Sequence, residues 1–126
     1  MNIHALFHQA KSEYSYQYDE HTLHILFRTA KNDVNNVTLI YGDPFDWVYE
    51  GGKARWNSEM IPMKKTYSSR YFDYFFIEVK PKDYRCKYAF VVKNTEKLVF
   101  FGSKRLEFLD HLPENTFDGG SFYDLS

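Results

Sequence analysis

The sequence predicts an all-β protein, an immunoglobulin-like antiparallel β-sandwich of about seven to nine strands. Short segments in which apolar and polar residues alternate recur along the chain, separated by turns rich in Gly, Asn, Asp and Pro. No segment sustains the i, i+3, i+4, i+7 apolar spacing of an amphipathic helix, so helix content should be slight. Cys86 is the only cysteine, which excludes the disulfide pair of antibody domains.

Length and charge restrict the class of protein further. A chain of 126 residues fits one domain, residues 1–126, with a core of its own. The net charge of -1 gives no electrostatic reason to expect nucleic acid or a membrane surface as a partner. The N-terminus lacks a signal-peptide pattern, and no apolar run is long enough to span a bilayer. With a single cysteine as well, we expect a soluble cytoplasmic protein.

The N-terminal part of the chain predicts two short strands. Ile3–His8 is expected to form the first strand, with His4 and His8 on one face. Two histidines on one face can begin a metal site, but no third ligand is suitably spaced, so both are interpreted as ordinary surface histidines. Ser12–Tyr18 places tyrosines at alternate positions, which indicates an edge strand with one aromatic face.

Thr22–Thr29 has the clearest strand pattern in the chain. Leu23, Ile25 and Phe27 are expected inside, and His24 and Arg28 outside. A polar turn at 31–33 leads to the strand that starts at Val37, and this arrangement predicts an antiparallel hairpin.

The second half predicts further strands. The segment Trp56–Lys65 is ambiguous, and its Met and Pro residues favour an edge strand. Tyr71–Val79 is expected to bury Phe75, Ile77 and Val79. Further strands are expected at Tyr84–Lys93, with Cys86 as a small buried hydrophobe, at Lys97–Phe101 after a turn, and at Arg105–Leu109.

An aromatic segment follows the strand Val37–Tyr41. Gly42-Asp43-Pro44 ends that strand, because Pro lacks a backbone donor and fixes its own φ. Aromatic residues then crowd a stretch expected at the surface: Phe45, Trp47 and Tyr49, with Trp56 close behind. Flat rings beside polar groups bind sugars, yet exposed aromatics also pack against other domains or subunits. The sequence leaves both interpretations open.

Candidate catalytic and metal sites have simpler explanations. Asp43 and Asp46 are the only carboxylate pair worth considering for glycoside hydrolysis, and Asp beside Gly and Pro is typical of a turn. The cluster of Asn and Asp at 32–36 could offer oxygens to calcium, but lacks EF-hand spacing and fits a hairpin turn. Nucleophile-elbow, P-loop and dinucleotide motifs are missing. We therefore assign no catalytic residue, metal ligand or cofactor.

The last residues suggest a connection to something further. Asp118-Gly119-Gly120 is followed by a segment that begins like a strand or linker and stops. Residues 115–126 are therefore expected to start a linker, and the chain to be the N-terminal piece of a longer protein.

Five strings of residues together resemble one family. They are Ser-Glu-Tyr-Ser-Tyr from Ser12, Asp-Glu-His-Thr-Leu-His-Ile from Asp19, Gly-Asp-Pro-Phe-Asp-Trp from Gly42, Phe-Asp-Tyr-Phe from Phe72 with Glu-Val-Lys-Pro from Glu78, and Lys-Tyr-Ala-Phe from Lys87. In this order they resemble the N-terminal immunoglobulin-like domain of neopullulanase, cyclomaltodextrinase and maltogenic amylase, a domain also classed as a starch-binding module. The resemblance covers essentially the whole chain.

The resemblance implies an intracellular α-amylase-type hydrolase acting on cyclodextrins, pullulan, starch and maltooligosaccharides. The catalytic barrel would follow this domain, and its two Asp and one Glu would lie outside these residues. In such enzymes the N-terminal domain docks on the partner subunit of a homodimer, and an aromatic loop narrows the partner's cleft. That loop corresponds to Gly42–Trp47, with Phe45 where some relatives have Tyr. Calcium occurs in some relatives, but a full ligand set does not match here.

Three functions are therefore compared. The first is a non-catalytic accessory domain that contributes to dimerisation and lends Phe45 and Trp47 to the partner's cleft. The second is an autonomous module that binds α-glucan oligosaccharides or cyclodextrin. The third is a β-sandwich that binds only protein.

Overall fold

Short strands make up most of the chain. A computed structural model describes residues 1–10, 12–81, 86–112 and 122–124. Within these residues there is one short 3-10 helix at Ile3–Ala5, and the predicted low helix content is confirmed. The twelve strands are β1 Ser15–Asp19, β2 Thr22–Ala30, β3 Asn36–Gly42, β4 Trp47–Glu50, β5 Lys53–Trp56, β6 Glu59–Pro62, β7 Lys64–Ser68, β8 Phe72–Val79, β9 Lys87–Lys93, β10 Leu98–Phe101, β11 Leu106–Phe108 and β12 Tyr123–Asp124.

The strands form two antiparallel sheets and one hairpin. The four-stranded sheet has the order β1-β2-β8-β7, and the six-stranded sheet has the order β11-β10-β9-β3-β6 with β12 also paired to β9. Strands β4 and β5 pair only with each other. The predicted immunoglobulin-like β-sandwich is confirmed. The strand count exceeds the expectation because the β4–β5 hairpin was not anticipated and because the one strand expected at Trp56–Lys65 divides into β6 and β7.

The main core lies between the two sheets. The inward positions expected in β2 and β8 are buried as predicted, and Phe27 from one sheet meets Phe90 from the other with ring centroids 4.6 Å apart. The core residues are Leu6, Leu23, Ile25, Phe27, Val34, Val37, Leu39, Met63, Phe75, Ile77, Val79, Tyr88, Phe90, Val92, Val99 and Tyr123. Burial of these apolar side chains is the principal source of folding free energy.

A second, smaller core covers the outer face of the six-stranded sheet. Ile40, Ala89, Val91 and Phe100 lie on that face, because they alternate along their strands with residues of the main core. Trp56 and Phe122 cover them. The central strand β9 is consequently buried on both faces.

The predicted hairpin between β2 and β3 is wrong, because the two strands belong to different sheets. One edge of β2 pairs with β1, and the other pairs along eight residues with β8, whose apolar inner face matches that of β2. No edge of β2 is therefore left for β3. The turn at 31–35 instead carries the chain across the sandwich. Its amide at Asn32 donates to the buried Asp73 carboxylate over 2.9 Å.

The predicted first strand at Ile3–His8 is also wrong. Asn2 caps the 3-10 helix by accepting from the His4 amide, and only Phe7 forms a bridge, to Arg28. His4 is exposed as expected, whereas His8 is buried rather than on the surface. Its two ring nitrogens have polar partners in the core, which makes burial of the ring acceptable.

The remaining strand predictions hold with adjusted bounds. Strand β1 is an edge strand with exposed tyrosines, as predicted. The ambiguous segment divides at buried Met63 into β6 and β7, which are edges of different sheets. The β9–β10 and β10–β11 pairs match the expected strands, and Cys86 is buried. Tyr84 and Arg85 lie outside the described residues.

The C-terminal segment contributes to the sandwich where it is described. Tyr123 pairs with Tyr88, and Asp124 pairs with Lys87. Phe122 and Tyr123 are buried in the two different cores. The other residues of the expected linker, 115–121 and 125–126, lie outside the described residues.

Candidate functional site on an aromatic hairpin

The aromatic segment folds mostly as a hairpin rather than as a loop. Trp47 and Tyr49 lie in β4, which pairs with β5 so that Trp47 faces Trp56 and Glu50 faces Lys53. The connection is a two-residue turn in which Gly51 has φ 56° and Gly52 has φ 77°. Positive φ at both central positions is the type I′ geometry that fits the strand twist, and Gly adopts it without steric cost.

A tight turn connects β3 to this hairpin. The Phe45 amide donates to Asp43 Oδ1 over 2.9 Å, and the Asp46 amide donates to the Asp43 carbonyl over 3.1 Å. The Asp46 carboxylate accepts from the Asn57 side-chain amide at 2.9 Å. Both carboxylates therefore hold the loop, as expected from turn chemistry.

Gly42 allows this turn to lie close to the end of β5. A Cβ at this position would be 3.0 Å from both the Asn57 carbonyl oxygen and Trp56 Cζ2. Such contacts are tighter than nine in ten real Cβ contacts, so a larger residue would require Trp56 and the backbone at Asn57 to shift by a few tenths of an ångström.

Trp56 anchors the hairpin from inside. The prediction that it lies at the surface is wrong, because only 1% of it is exposed. It packs edge-on against Phe122 with ring centroids 5.3 Å apart, on the outer face of the six-stranded sheet. Its indole N–H donates to the Asp43 carbonyl over 2.7 Å. As the structure stands, this ring is not available to a ligand.

The other three aromatics differ in exposure. Trp47 is partly buried against the second core and donates its indole N–H to the Pro44 carbonyl over 3.0 Å. Phe45 is 71% exposed and Tyr49 is 77% exposed. Of the four aromatic residues predicted from the sequence, Trp56 is thus an anchor, Trp47 is partly covered, and Phe45 and Tyr49 face solvent.

Tyr41 and Glu59 form a polar pair at the base of the turn. The Tyr41 hydroxyl donates to Glu59 Oε2 over 2.9 Å. Burial, together with this hydrogen bond and the adjacent carboxylate, raises the pKa of Tyr41 to about 12. The phenol stays protonated at neutral pH and ties β3 to edge strand β6.

Several exposed aromatics outside the hairpin were not singled out from the sequence as candidate site residues. Tyr18, Tyr67 and Tyr71 are each more than 60% exposed, and Phe108 is 53% exposed. Tyr18, Tyr67 and Phe108 lie on edge strands in which nearly every residue is exposed. The sequence showed the alternating tyrosines that include Tyr18, but it did not show which residues lie beside Tyr18 on the adjacent strands.

The described residues contain neither a cluster of metal ligands nor a helix that could span a membrane. Among them, no three His, Cys, Asp or Glu side chains approach closely enough to hold a metal ion. In the turn proposed as an alternative calcium cluster, the Asp33 carboxylate accepts from the Asn2 amide over 2.6 Å. Within the same ranges, no helix has the length and apolar character needed to cross a membrane.

The fold and the hairpin define an immunoglobulin-like domain with an anchored aromatic protrusion. Residues 1–122 match the family described as "Alpha amylase, N-terminal ig-like domain", and the chain belongs to that family. It is 42% identical over 101 residues, 79% of its length, to a cyclomaltodextrinase of Geobacillus thermopakistaniensis. It is 41% identical over 103 residues, 82% of its length, to the intracellular maltogenic amylase of Bacillus subtilis.

A solved structure supports the same assignment. The fold matches a chain named cyclomaltodextrinase with a TM-score of 0.74 and 29% identity, over 91% of this chain and 18% of that one. The chain spans only 16% and 17% of the two curated relatives. The family expected from the sequence is therefore confirmed, and the relatives are much longer proteins.

Proposed function

We propose that this chain is the non-catalytic accessory domain of an α-amylase-family glycoside hydrolase acting on cyclodextrins, pullulan, starch and maltooligosaccharides. In this proposal the domain contributes to a homodimer, and the loop Gly42–Trp47 lies, together with the β4–β5 hairpin that follows it, at the substrate cleft of the second subunit. The catalytic domain would follow it in the parent protein. Membership of the amylase N-terminal domain family supports this proposal.

The observation that carries the proposal is that Phe45 and Tyr49 are exposed on an anchored backbone. Both rings are largely exposed, although the Asp43 turn that carries Phe45 is held by hydrogen bonds and the hairpin that carries Tyr49 is anchored by buried Trp56. A ring carried on a fixed backbone requires no ordering of that backbone on binding, so stacking on a sugar yields a larger net free energy.

The same rings would narrow the cleft they enter. Compact cyclodextrins and short oligosaccharides would pass them, while branched or bulky starch would be hindered. Phe45 offers a stacking face without a hydroxyl, so it contributes contact area rather than a hydrogen bond. The expected result is a preference for small substrates.

The test uses the full-length enzyme. Phe45→Ala and Tyr49→Ala, singly and together, should lower the ratio of cyclodextrin to starch hydrolysis. Trp47→Ala is a less direct probe, since Trp47 also supports the turn through Pro44. Tyr71→Ala is the matched control, because Tyr71 is 65% exposed and lies outside the hairpin. An activity ratio that stays constant in the double variant would contradict the proposal.

A second candidate is autonomous binding of α-glucans by this domain. It is favoured by the exposed Asp46 and Asn57 side chains beside Phe45, which offer polar groups for sugar hydroxyls. Titration of the isolated chain with β-cyclodextrin should then change the fluorescence of partly buried Trp47. A flat titration at millimolar sugar, together with self-association of the chain, would favour a domain that binds only protein.

A cytoplasmic location is part of the proposal. It is supported by the lone buried cysteine and by the relative named intracellular maltogenic amylase. Fractionation of the source cells would test it, and recovery of the protein outside the cell would contradict it.

A further inference from the structure

The short strand β12 lies close to the turn that carries Phe45. In strand β9, Lys87 pairs with Gly42 of β3 on one side and with Asp124 of β12 on the other. Because neighbouring strands are about 4.8 Å apart, the backbone of Asp124 lies roughly 10 Å from Gly42, where the turn begins. Strand β12 is therefore a close neighbour of the candidate site, although the two are far apart in sequence.

Two consecutive aromatic residues fix this part of the chain on opposite faces of the six-stranded sheet. Tyr123 enters the main core and stacks on Tyr88 with ring centroids 5.4 Å apart and an interplanar angle of 21°. Phe122 enters the second core and is buried there. Its carbonyl oxygen also accepts a hydrogen bond from Ser103 Oγ over 3.2 Å. The segment is thus held by both side chains and by the backbone.

Phe122 lies between the aromatic hairpin and the sheet. Its ring contacts Trp56 edge-on, with centroids 5.3 Å apart and an interplanar angle of 87°, and it contacts Phe100 of β10 at 5.6 Å and 53°. Trp56 in turn donates its indole N–H to the Asp43 carbonyl over 2.7 Å. Direct contacts therefore lead from Phe122 through Trp56 to the turn that carries Phe45.

We propose that Phe122 is a positioning residue for the aromatic site, which acts through Trp56 so that the placement of β12 determines how firmly the turn and the hairpin are held. Among the described strands, β4 and β5 pair only with each other, so packing rather than sheet hydrogen bonds fixes the hairpin on the sandwich. An edge-to-face aromatic pair stabilises by more than the area it buries. A void in place of the Phe122 ring would leave Trp56 without contacts on that side.

The consequence for activity rests on the proposed function of the domain. In the proposed parent enzyme the catalytic domain follows β12 along the chain, so the connection between the two domains would also secure the aromatic site. A displacement of β12 would reach Phe45 and Tyr49 through close-packed side chains, because protein interiors transmit strain. It would thereby change how closely the two rings narrow the substrate cleft.

The first test is hydrogen exchange, followed by NMR, of the ¹⁵N-labelled 126-residue chain. Its two indole N–H signals belong to Trp47 and Trp56, and the variant Trp47→Phe identifies them. Phe122→Leu should speed exchange of the Trp56 indole by about fivefold, and Phe122→Ala by about tenfold, because loss of an aromatic pair makes local opening more frequent. Amides that pair β2 with β8 should keep a higher protection than the hairpin in both variants.

A matched control removes the same atoms from the other core. Phe75 is buried in the main core on β8, and Phe75→Leu should destabilise the domain without speeding exchange of the Trp56 indole. Faster exchange confined to Trp56 and the hairpin in Phe122→Leu, and missing in Phe75→Leu, supports the inference. An unaltered Trp56 signal in Phe122→Leu, or equal acceleration throughout the chain, overturns it. Phe122→Leu decides the test if Phe122→Ala does not fold.

A second test in the full-length enzyme separates this inference from the proposed function. Phe122→Leu should lower the ratio of cyclodextrin to starch hydrolysis in the same direction as Phe45→Ala/Tyr49→Ala. If the double variant lowers the ratio but Phe122→Leu leaves both the ratio and the Trp56 exchange unaltered, the inference is overturned and the proposed function stands. If Phe122→Leu loosens the hairpin but the double variant keeps the parental ratio, the positioning role is supported and the proposed function is contradicted.

Discussion

His8 Nε2 lies 2.9 Å from the Tyr88 hydroxyl oxygen inside the main core. His8 Nδ1 lies 2.8 Å from the Leu26 carbonyl, and Ser15 Oγ lies 2.8 Å from the same Tyr88 oxygen. The Leu26 carbonyl can only accept, so neutral His8 donates from Nδ1 and accepts at Nε2 from Tyr88. With Tyr123 packed on the ring at 4.7 Å, His8 connects the N-terminal segment to both sheets and to β12.

Stability should fall in mild acid because of His8. Burial lowers its pKa from 6.5 to about 4, against a smaller raising effect of the Leu26 hydrogen bond. As the pH falls, the unfolded chain therefore binds a proton at this histidine before the folded chain does. The stabilisation that comes from neutral His8 is complete above about pH 6.5 and is lost as the pH falls towards 4. By pH 5 the loss should be about 2 kcal/mol, measured by urea unfolding.

The carboxylates of the chain also titrate in acid, so the comparison must isolate His8. His8→Phe should be less stable at neutral pH but lose about 2 kcal/mol less than the parent chain between pH 7 and 5. His21→Gln is the matched control at an exposed histidine and should keep the parent slope. Identical slopes in His8→Phe and the parent would contradict the assignment.

Replacing Trp56 should destabilise the whole domain rather than affect binding alone. Trp56→Ala leaves a cavity in the second core and removes the donor to the Asp43 carbonyl, at an expected cost of about 3–5 kcal/mol. Thermal or urea unfolding measures the change. Tyr49→Ala on the same hairpin should cost less than about 0.5 kcal/mol, and a similar loss in both variants would refute the anchoring role.

The glycines of this region should respond differently to substitution. Gly42→Ala places a methyl group 3.0 Å from backbone and ring atoms and should cost about 1–3 kcal/mol. Gly51 has open space around it but a φ of 56°, so Gly51→Asn should be nearly neutral because Asn tolerates this conformation. Unfolding free energies of the two variants test the distinction, which fails if Gly42→Ala is as stable as Gly51→Asn.

Asp73 should stabilise the crossing between the sheets. Its carboxylate accepts from Ser68 Oγ at 2.6 Å and from the Asn32 amide at 2.9 Å, with Lys65 Nζ at 3.3 Å. Burial raises its pKa, but these donors outweigh that effect and hold the pKa below its usual value. The stabilisation by ionised Asp73 is present above the pKa of about 3.9 that an Asp has in the unfolded chain, and it is lost below that pH.

Substitution at this site tests the role of the charge. Asp73→Asn should lower the free energy of unfolding at neutral pH, measured in urea, by about 2 kcal/mol, because charge-assisted hydrogen bonds are replaced by neutral ones or lost. Glu78→Gln, a carboxylate on the same strand but half exposed, should change stability by less than about 0.5 kcal/mol. Equal stability of Asp73→Asn and the parent chain would show that the carboxylate is not required.

Local patterns were sufficient for many elements of the fold. Alternation identified the inward residues of β2 and β8, and the Asn94 turn identified the β9–β10 hairpin. Alternation did not reveal that His8 is buried, because a polar ring reads as a surface residue unless its partners are known. Those partners, Leu26 and Tyr88, are 18 and 80 residues away in sequence.

The sequence by itself determined the sandwich class, the inward faces, the turn at Gly42-Asp43-Pro44 and the family, because these depend on patterns within a few residues of one another. Only the tertiary structure decided that β2 and β3 lie in different sheets and that Trp56 is an anchor while Phe45 and Tyr49 face solvent. Strand pairing and burial depend on contacts between distant segments. The residue type alone does not distinguish an aromatic side chain that covers a core from one that binds a ligand.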